Sequence, residues 1–165
     1  MNQKGFTLIE ILVVMAISSL VIVAVVTSMY QISLGVIRAN DRLTAMNDIN
    51  SAVPWLKRDI QMAQYTDLTP GGPTQSSLSL HWLDLTFFAT DNVAVHDSDY
   101  SLSGTELVRI YDGANRTIGR NITSIGFTQD NYIITCNITA TGTTEGMEHT
   151  ETFIFSVLMR SAAVQ

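Results

Sequence analysis

A single cysteine, Cys136, stands among 165 residues, so no disulfide can close within the chain and its stability must come from packing. Cys136 lies in an alternating apolar run, which reads as a buried core thiol rather than a reactive one. Proline is confined to Pro54, Pro70 and Pro73. Positive charge is scarce: nine Lys and Arg face fifteen Asp and Glu, a formal net charge of −6. From residue 65 onward, Arg109, Arg116, Arg120 and Arg160 stand against eleven acidic residues. A nucleic-acid role therefore lacks its basic patch. There is no glycine-rich phosphate loop and no CxxC pair. His81, His96 and His149 show no metal-ligand spacing. The longest absence is of charge itself, with none in the 27 residues from Ile11 to Ile37.

That uncharged stretch exceeds the ~20 residues a helix needs to cross a bilayer. Before it come a short polar leader ending in Lys4-Gly5, then Phe6-Thr7-Leu8-Ile9-Glu10. A secretory signal places its cleavage site after an apolar core of about 7–15 residues. Here the leader ends before the apolar core, which would stay with the mature chain. Glu10 is the anomaly. A carboxylate at the centre of a membrane helix costs about 2.5–3.5 kcal/mol on insertion scales, so it needs a partner or a hydrated position. Lys4 favours a cytoplasmic N-terminus by the positive-inside rule, although Arg38 and Arg42 lie just past the span. An uncleaved signal anchor is the plainer alternative.

The run Lys4-Gly5-Phe6-Thr7-Leu8-Ile9-Glu10, continued by Ile11-Leu12-Val13-Val14-Met15-Ala16-Ile17, resembles the processing motif of type IV prepilins and type II secretion pseudopilins. The resemblance implies cleavage between Gly5 and Phe6 by a prepilin peptidase and N-methylation of Phe6. It also implies a register role for Glu10, pairing with the terminal amine of a neighbouring subunit. Expected partners are other pilin or pseudopilin subunits, the peptidase, the inner-membrane assembly machinery and membrane lipid. The head would lie outside the cytoplasm. Many major pilins close a loop near the C-terminus with a disulfide, and this chain has none, which inclines the resemblance toward a minor subunit.

Past Arg38 the helical period persists. Met46, Ile49, Val53, Leu56, Ile60 and Ala63 recur at spacings of three and four, one apolar stripe on an amphipathic helix. Arg42, Asp48, Lys57, Arg58 and Asp59 read as lying mostly off it. One helix from near Phe6 to near Gln64 is expected, on the order of 90 Å long. Pro54 would kink it or divide it. Thr69-Pro70-Gly71-Gly72-Pro73 ends the helical part.

The remainder reads as strands: Leu78 to Trp82, a phase slip into Leu83 to Phe87, Leu107 to Tyr111 ending at Asp112-Gly113, a hairpin of Ile122 to Thr128 and Tyr132 to Thr139, and Thr152 to Met159. Residues 90–104 and 141–146 read as loops. The expected fold is α+β and pilin-like: leader 1–5, membrane and assembly helix 6–37, amphipathic helix 38–64, and an antiparallel β-rich head 65–165. The segment Ile118-Gly119-Arg120-Asn121-Ile122, then Ile125-Gly126-Phe127 and a last strand ending in Arg160, is similar to J-type minor pseudopilins and W-type minor pilins.

No catalytic constellation emerges, and no enzyme activity or cofactor is expected. Asp91, Asn92, Asp97 and Asp99 are oxygen-rich and calcium-like in chemistry, but they fit no EF-hand template and read as a solvated loop. His96-Asp97-Ser98 is not a triad, because triad members converge in space rather than in sequence. The reading is a minor pilin or pseudopilin that initiates or caps a filament. The alternatives are a major subunit, or a membrane-anchored binding domain that uses the prepilin route.

Overall fold

The computed structural model describes residues 7–84, 94–144 and 147–160. One helix, α1 (Leu8–Met62), is followed by eight strands: β1 (Tyr65–Thr66), β2 (Leu78–Asp84), β3 (Ala94–Ser103), β4 (Glu106–Tyr111), β5 (Ala114–Gly119), β6 (Ile122–Asp130), β7 (Ile133–Thr144) and β8 (Met147–Leu158). Contacts divide the chain into two units, residues 1–39 and 40–165.

In the first unit the side chains of α1 are almost all exposed, and its most apolar 18 residues have a mean hydropathy of 2.8. By length and composition this helix can cross a membrane. Three of its hydroxyls are satisfied inside the helix. Ser19 Oγ donates to the Ala16 carbonyl at 2.8 Å, Thr27 Oγ1 to Val23 at 2.9 Å and Ser28 Oγ to Ala24 at 2.8 Å. Such back-bonding lets these three hydroxyls face hydrocarbon without an unpaired donor.

The second unit is built on residues 40–62 of α1. Ala45, Ile49, Ala52, Val53, Leu56 and Ile60 are buried, followed by Ala63 just past the helix end. The expected stripe is thus shifted at its start: Met46 is 42% exposed, and Ala45, one residue earlier, faces the core. Two small residues, Ala45 and Ala52, let strands approach the helix closely. α1 continues through Pro54, which is exposed and so leaves its missing donor on the solvent side.

Two antiparallel sheets pack on this helix. One has strand order β1-β2-β3-β4-β5, the other β6-β7-β8. They share a core with the helix in which Leu56, Ile60, Leu78, Leu80, Tyr100, Leu107, Ile122, Phe127, Ile134 and Ile138 are essentially inaccessible. The break falls at Arg120-Asn121, where Asn121 adopts φ 51°. Asp48 on the helix holds this corner: its carboxylate accepts from the Arg120 backbone N–H at 3.4 Å and from Asn121 Nδ2 at 2.9 Å. Gly119 lies against the Asp48 carbonyl, so a Cβ there would sit 3.3 Å from it.

Two expected loops are strands. Residues 94–103 form β3 because their alternation is amphipathic in a polar guise: Ser98, Tyr100 and Leu102 face inward while Asp97, Asp99 and Ser101 face out. A buried serine and tyrosine hide the period-two pattern from a count of aliphatic residues. Residues 141–144 extend β7, paired in register with β8 from Thr141↔Thr150 to Thr144↔Met147. The turn expected at Asp112-Gly113 is present, with φ 47° and 82°, and it leads into β5, a strand that was not among the expected ones. The phase slip expected at Trp82/Leu83 does not interrupt β2, which runs to Asp84; Leu85 and Phe87 lie outside the described residues.

Candidate functional site

Two places in the chain gather chemistry. The first is the N-terminus. Gly5 and Phe6 lie outside the described residues. Glu10 sits in the first turn of α1, whose opening bonds close on the Thr7 carbonyl, from Glu10 N–H at 3.0 Å and Ile11 N–H at 3.3 Å. Its side chain is exposed and makes no ion pair among the described residues. An acidic residue there also faces the positive end of the helix dipole.

The second place was not read from the sequence. Asp59 is only 2% exposed, which corrects its placement off the apolar stripe. Its Oδ2 accepts three hydrogen bonds: from Ser98 Oγ at 2.7 Å, Tyr100 Oη at 2.6 Å and Arg109 Nε at 2.7 Å. Those donors lie 39, 41 and 50 residues away in sequence, on the inward faces of β3 and β4. Burial and the neighbouring Asp59 charge both resist ionisation of Tyr100, pushing its hydroxyl far above the usual phenol range. Burial by itself would lower the Arg109 pKa, but the hydrogen bond and charge of Asp59 outweigh it, and the guanidinium is held more firmly protonated.

Around this carboxylate is an aromatic frame. The Arg109 guanidinium lies 4.5 Å from the Tyr111 ring centroid and 5.2 Å from that of Trp55. Arg116, cross-strand partner of Arg109, lies 4.7 Å from Trp55. Tyr111 stacks on Trp82 at 5.8 Å and on His96 at 5.7 Å. Trp55, Arg58, Asp59, Met62, Trp82, Arg109 and Tyr111 line a cleft of about 180 Å³.

The sequence candidates fall elsewhere. His96 pairs with Asp112 at 2.7 Å and His81 with Asp97 at 2.6 Å. Asp97 points to the opposite face of β3 from His96 and Ser98, so the three consecutive residues form no triad. Asp91 and Asn92 lie outside the described residues, while Asp97 and Asp99 sit on a strand and not on a loop. Among the described residues, no group of three His, Cys, Asp or Glu side chains is arranged to hold a metal. Cys136 is buried and its thiol is pushed up to about 12 by desolvation.

Asp112 gives a pH handle on the head. The Asp97 backbone N–H at 3.0 Å and then His96 hold its carboxyl below the ordinary carboxylate value. A depressed folded-state pKa supplies stability that is present above about pH 4 and is lost as pH falls through the unfolded and then the folded value. Urea unfolding of the detergent-solubilised chain between pH 6 and pH 2.5 is expected to show this acid loss. Asp112→Asn should flatten that part of the profile, with little change in the slope contributed by other carboxylates.

A comparison with curated proteins returns no match. Residues 1–26 match the family model of the prokaryotic N-terminal methylation motif. The matched motif runs into a long apolar helix, and that helix continues into antiparallel sheets, an α+β, pilin-like layout.

Proposed function

We propose that this chain is a structural subunit of a type IV pilus-like or type II secretion filament, of the minor class that initiates or caps the assembly. The observation that carries the reading is the methylation motif over residues 1–26, continuous with a helix whose apolar side chains, apart from half-buried Leu34 and Ile37, stay exposed as far as Ala39. Exposed apolar surface on that scale needs lipid or neighbouring helices to cover it. The absence of a disulfide supports the minor role, as does the acidic composition of the head.

In this reading a prepilin peptidase cuts between Gly5 and Phe6 at the cytoplasmic face of the inner membrane, and Phe6 is then N-methylated. Cleavage creates a cationic amine at a depth close to that of Glu10. An unpaired carboxylate in the bilayer is costly, and pairing with the amine of a neighbour offsets that cost only at one axial offset between subunits. The pair thereby sets register. The chain itself carries out no catalysis in this role.

Intact mass spectrometry of the membrane form tests the reading. The expected species begins at methylated Phe6, and a chain retaining Met1–Gly5 in a host with an active peptidase would refute it. Glu10→Ala is expected to leave cleavage intact and to remove the chain from sheared filaments. A subunit of the minor class is expected to be rare in those filaments beside the principal one.

A further inference from the structure

The cleft beside Asp59 carries an unbalanced charge. Arg109 and Arg116 lie over the Trp55 ring, Arg58 lines the same cleft as Trp55, and Asp59, bonded to Arg109, neutralises one of the three. Arg109 and Arg116 stand directly opposite each other on β4 and β5, an arrangement that is unfavourable unless something offsets it. The surrounding head is strongly acidic, so this concentration of guanidinium groups is not a general feature of its surface.

Arg109 is also fixed in place. Its Nε is bound to Asp59, it lies over the rings of Tyr111 and Trp55, and its side chain keeps 10% exposure where it lines the cleft. Arg58, which lines the cleft, and Arg116, which lies against the Trp55 ring, are both exposed. A guanidinium held this way has already lost its rotamer freedom, which removes much of the entropic cost of gripping an anion. The carboxylate is the planar anion that fits such a fork.

Two observations narrow the ligand further. Trp55 and Tyr111 already carry guanidinium groups over their rings, and Tyr111 also stacks on His96 and Trp82, so a sugar or a base would have to displace these contacts to stack. The cleft of about 180 Å³ is also below the ~300–1,000 Å³ of pockets that enclose whole ligands. A side chain fits it better than a cofactor. We propose that this cleft is a docking site for a glutamate or aspartate side chain presented by an acidic segment of a partner protein.

Trp55 and Trp82 are the only tryptophans in the chain, and both line the cleft, so intrinsic fluorescence reports on it directly. The full chain in detergent would be titrated with hexaglutamate, with hexaglutamine, with inorganic phosphate and with an oligogalacturonate. A saturable change with hexaglutamate alone is expected. Arg58→Gln and Arg116→Gln, both at exposed positions, should each weaken it about tenfold while leaving the unfolding midpoint unchanged. No saturable response to hexaglutamate overturns the proposal, as does an equal response to hexaglutamine or phosphate, or unchanged affinity in both variants. Oligogalacturonate binding without hexaglutamate binding would reassign the cleft to an acidic glycan and overturn the peptide assignment. These outcomes are independent of Phe6 processing, so the docking site can fail while the filament reading stands.

Discussion

Asp59→Ala is expected to cost the head about 3–5 kcal/mol, the range found when one partner of a buried ion pair is removed. The substitution strands three donors at once. Arg109 is 9% exposed, Tyr100 is 1% exposed and Ser98 is fully buried, and each donates to the same Asp59 oxygen. A small domain has a total stability of only about 5–15 kcal/mol, so the loss is a large share of it. On a head of this size it corresponds to a melting temperature lower by about 15–30 °C. Asp59→Asn should cost less, because the amide oxygen still accepts from the hydroxyls while the charge is lost. Arg109→Met in the Asp59→Ala background should recover part of the loss, since no buried charge then remains unpaired. Denaturant unfolding followed by tryptophan fluorescence measures all three. An Asp59→Ala midpoint within about 1 kcal/mol of the parent would mean that water reaches these donors and that the cluster does not hold helix to sheet.

Gly142→Ala is the second large effect, expected at about 2–3 kcal/mol. Gly142 on β7 is packed against the backbone of Asp41 on α1. A Cβ at this position would run into the Asp41 carbonyl oxygen and would lie 2.8 Å from its carbon and 3.0 Å from its Cα. All three atoms are backbone, so no rotamer change relieves the overlap and the β7–β8 end must move off the helix. Asp41 is itself 1% exposed, with neither carboxylate oxygen hydrogen-bonded among the described residues. Opening this end would admit water to that carboxylate and return part of the cost. Amide exchange should report the site: protection is expected to fall at residues 139–142 and 149–152 and to hold at Leu56 and Ile60. Gly35→Ala is the matched control, because nothing lies within 4 Å of the added methyl group and the helix gains propensity. Equal stability of Gly142→Ala and the parent would show that the hairpin does not lie so close to the helix.

Two of the corrected expectations, β3 and Asp59, share one cause. β3 was hidden because its inward positions include Ser98 and Tyr100, which become core residues only when Asp59 is there to accept from them. Asp59 was hidden for the complementary reason. Its spacing from Leu56 and Ala63 already placed it on the buried face, but a carboxylate is excluded from a core unless donors are supplied, and its donors are supplied by β3 and β4. Each half of the cluster looks polar and exposed without the other.

Some features needed no tertiary information. The uncharged run from Ile11 to Ile37, the Gly5-Phe6 junction and Glu10 are local, and the physics that reads them is that of one helix and one bilayer. The apolar stripe, the Asp112-Gly113 turn and the β6–β7 hairpin are likewise set by short-range periodicity and backbone preference. Only the folded chain decided the division into two sheets, the passage of α1 through Pro54, the close approach at Gly142 and the gathering of Asp59, Arg109 and Trp55 into a cationic cleft. Those features depend on distances between residues far apart in the chain, and a one-dimensional pattern holds no record of which polar groups will meet.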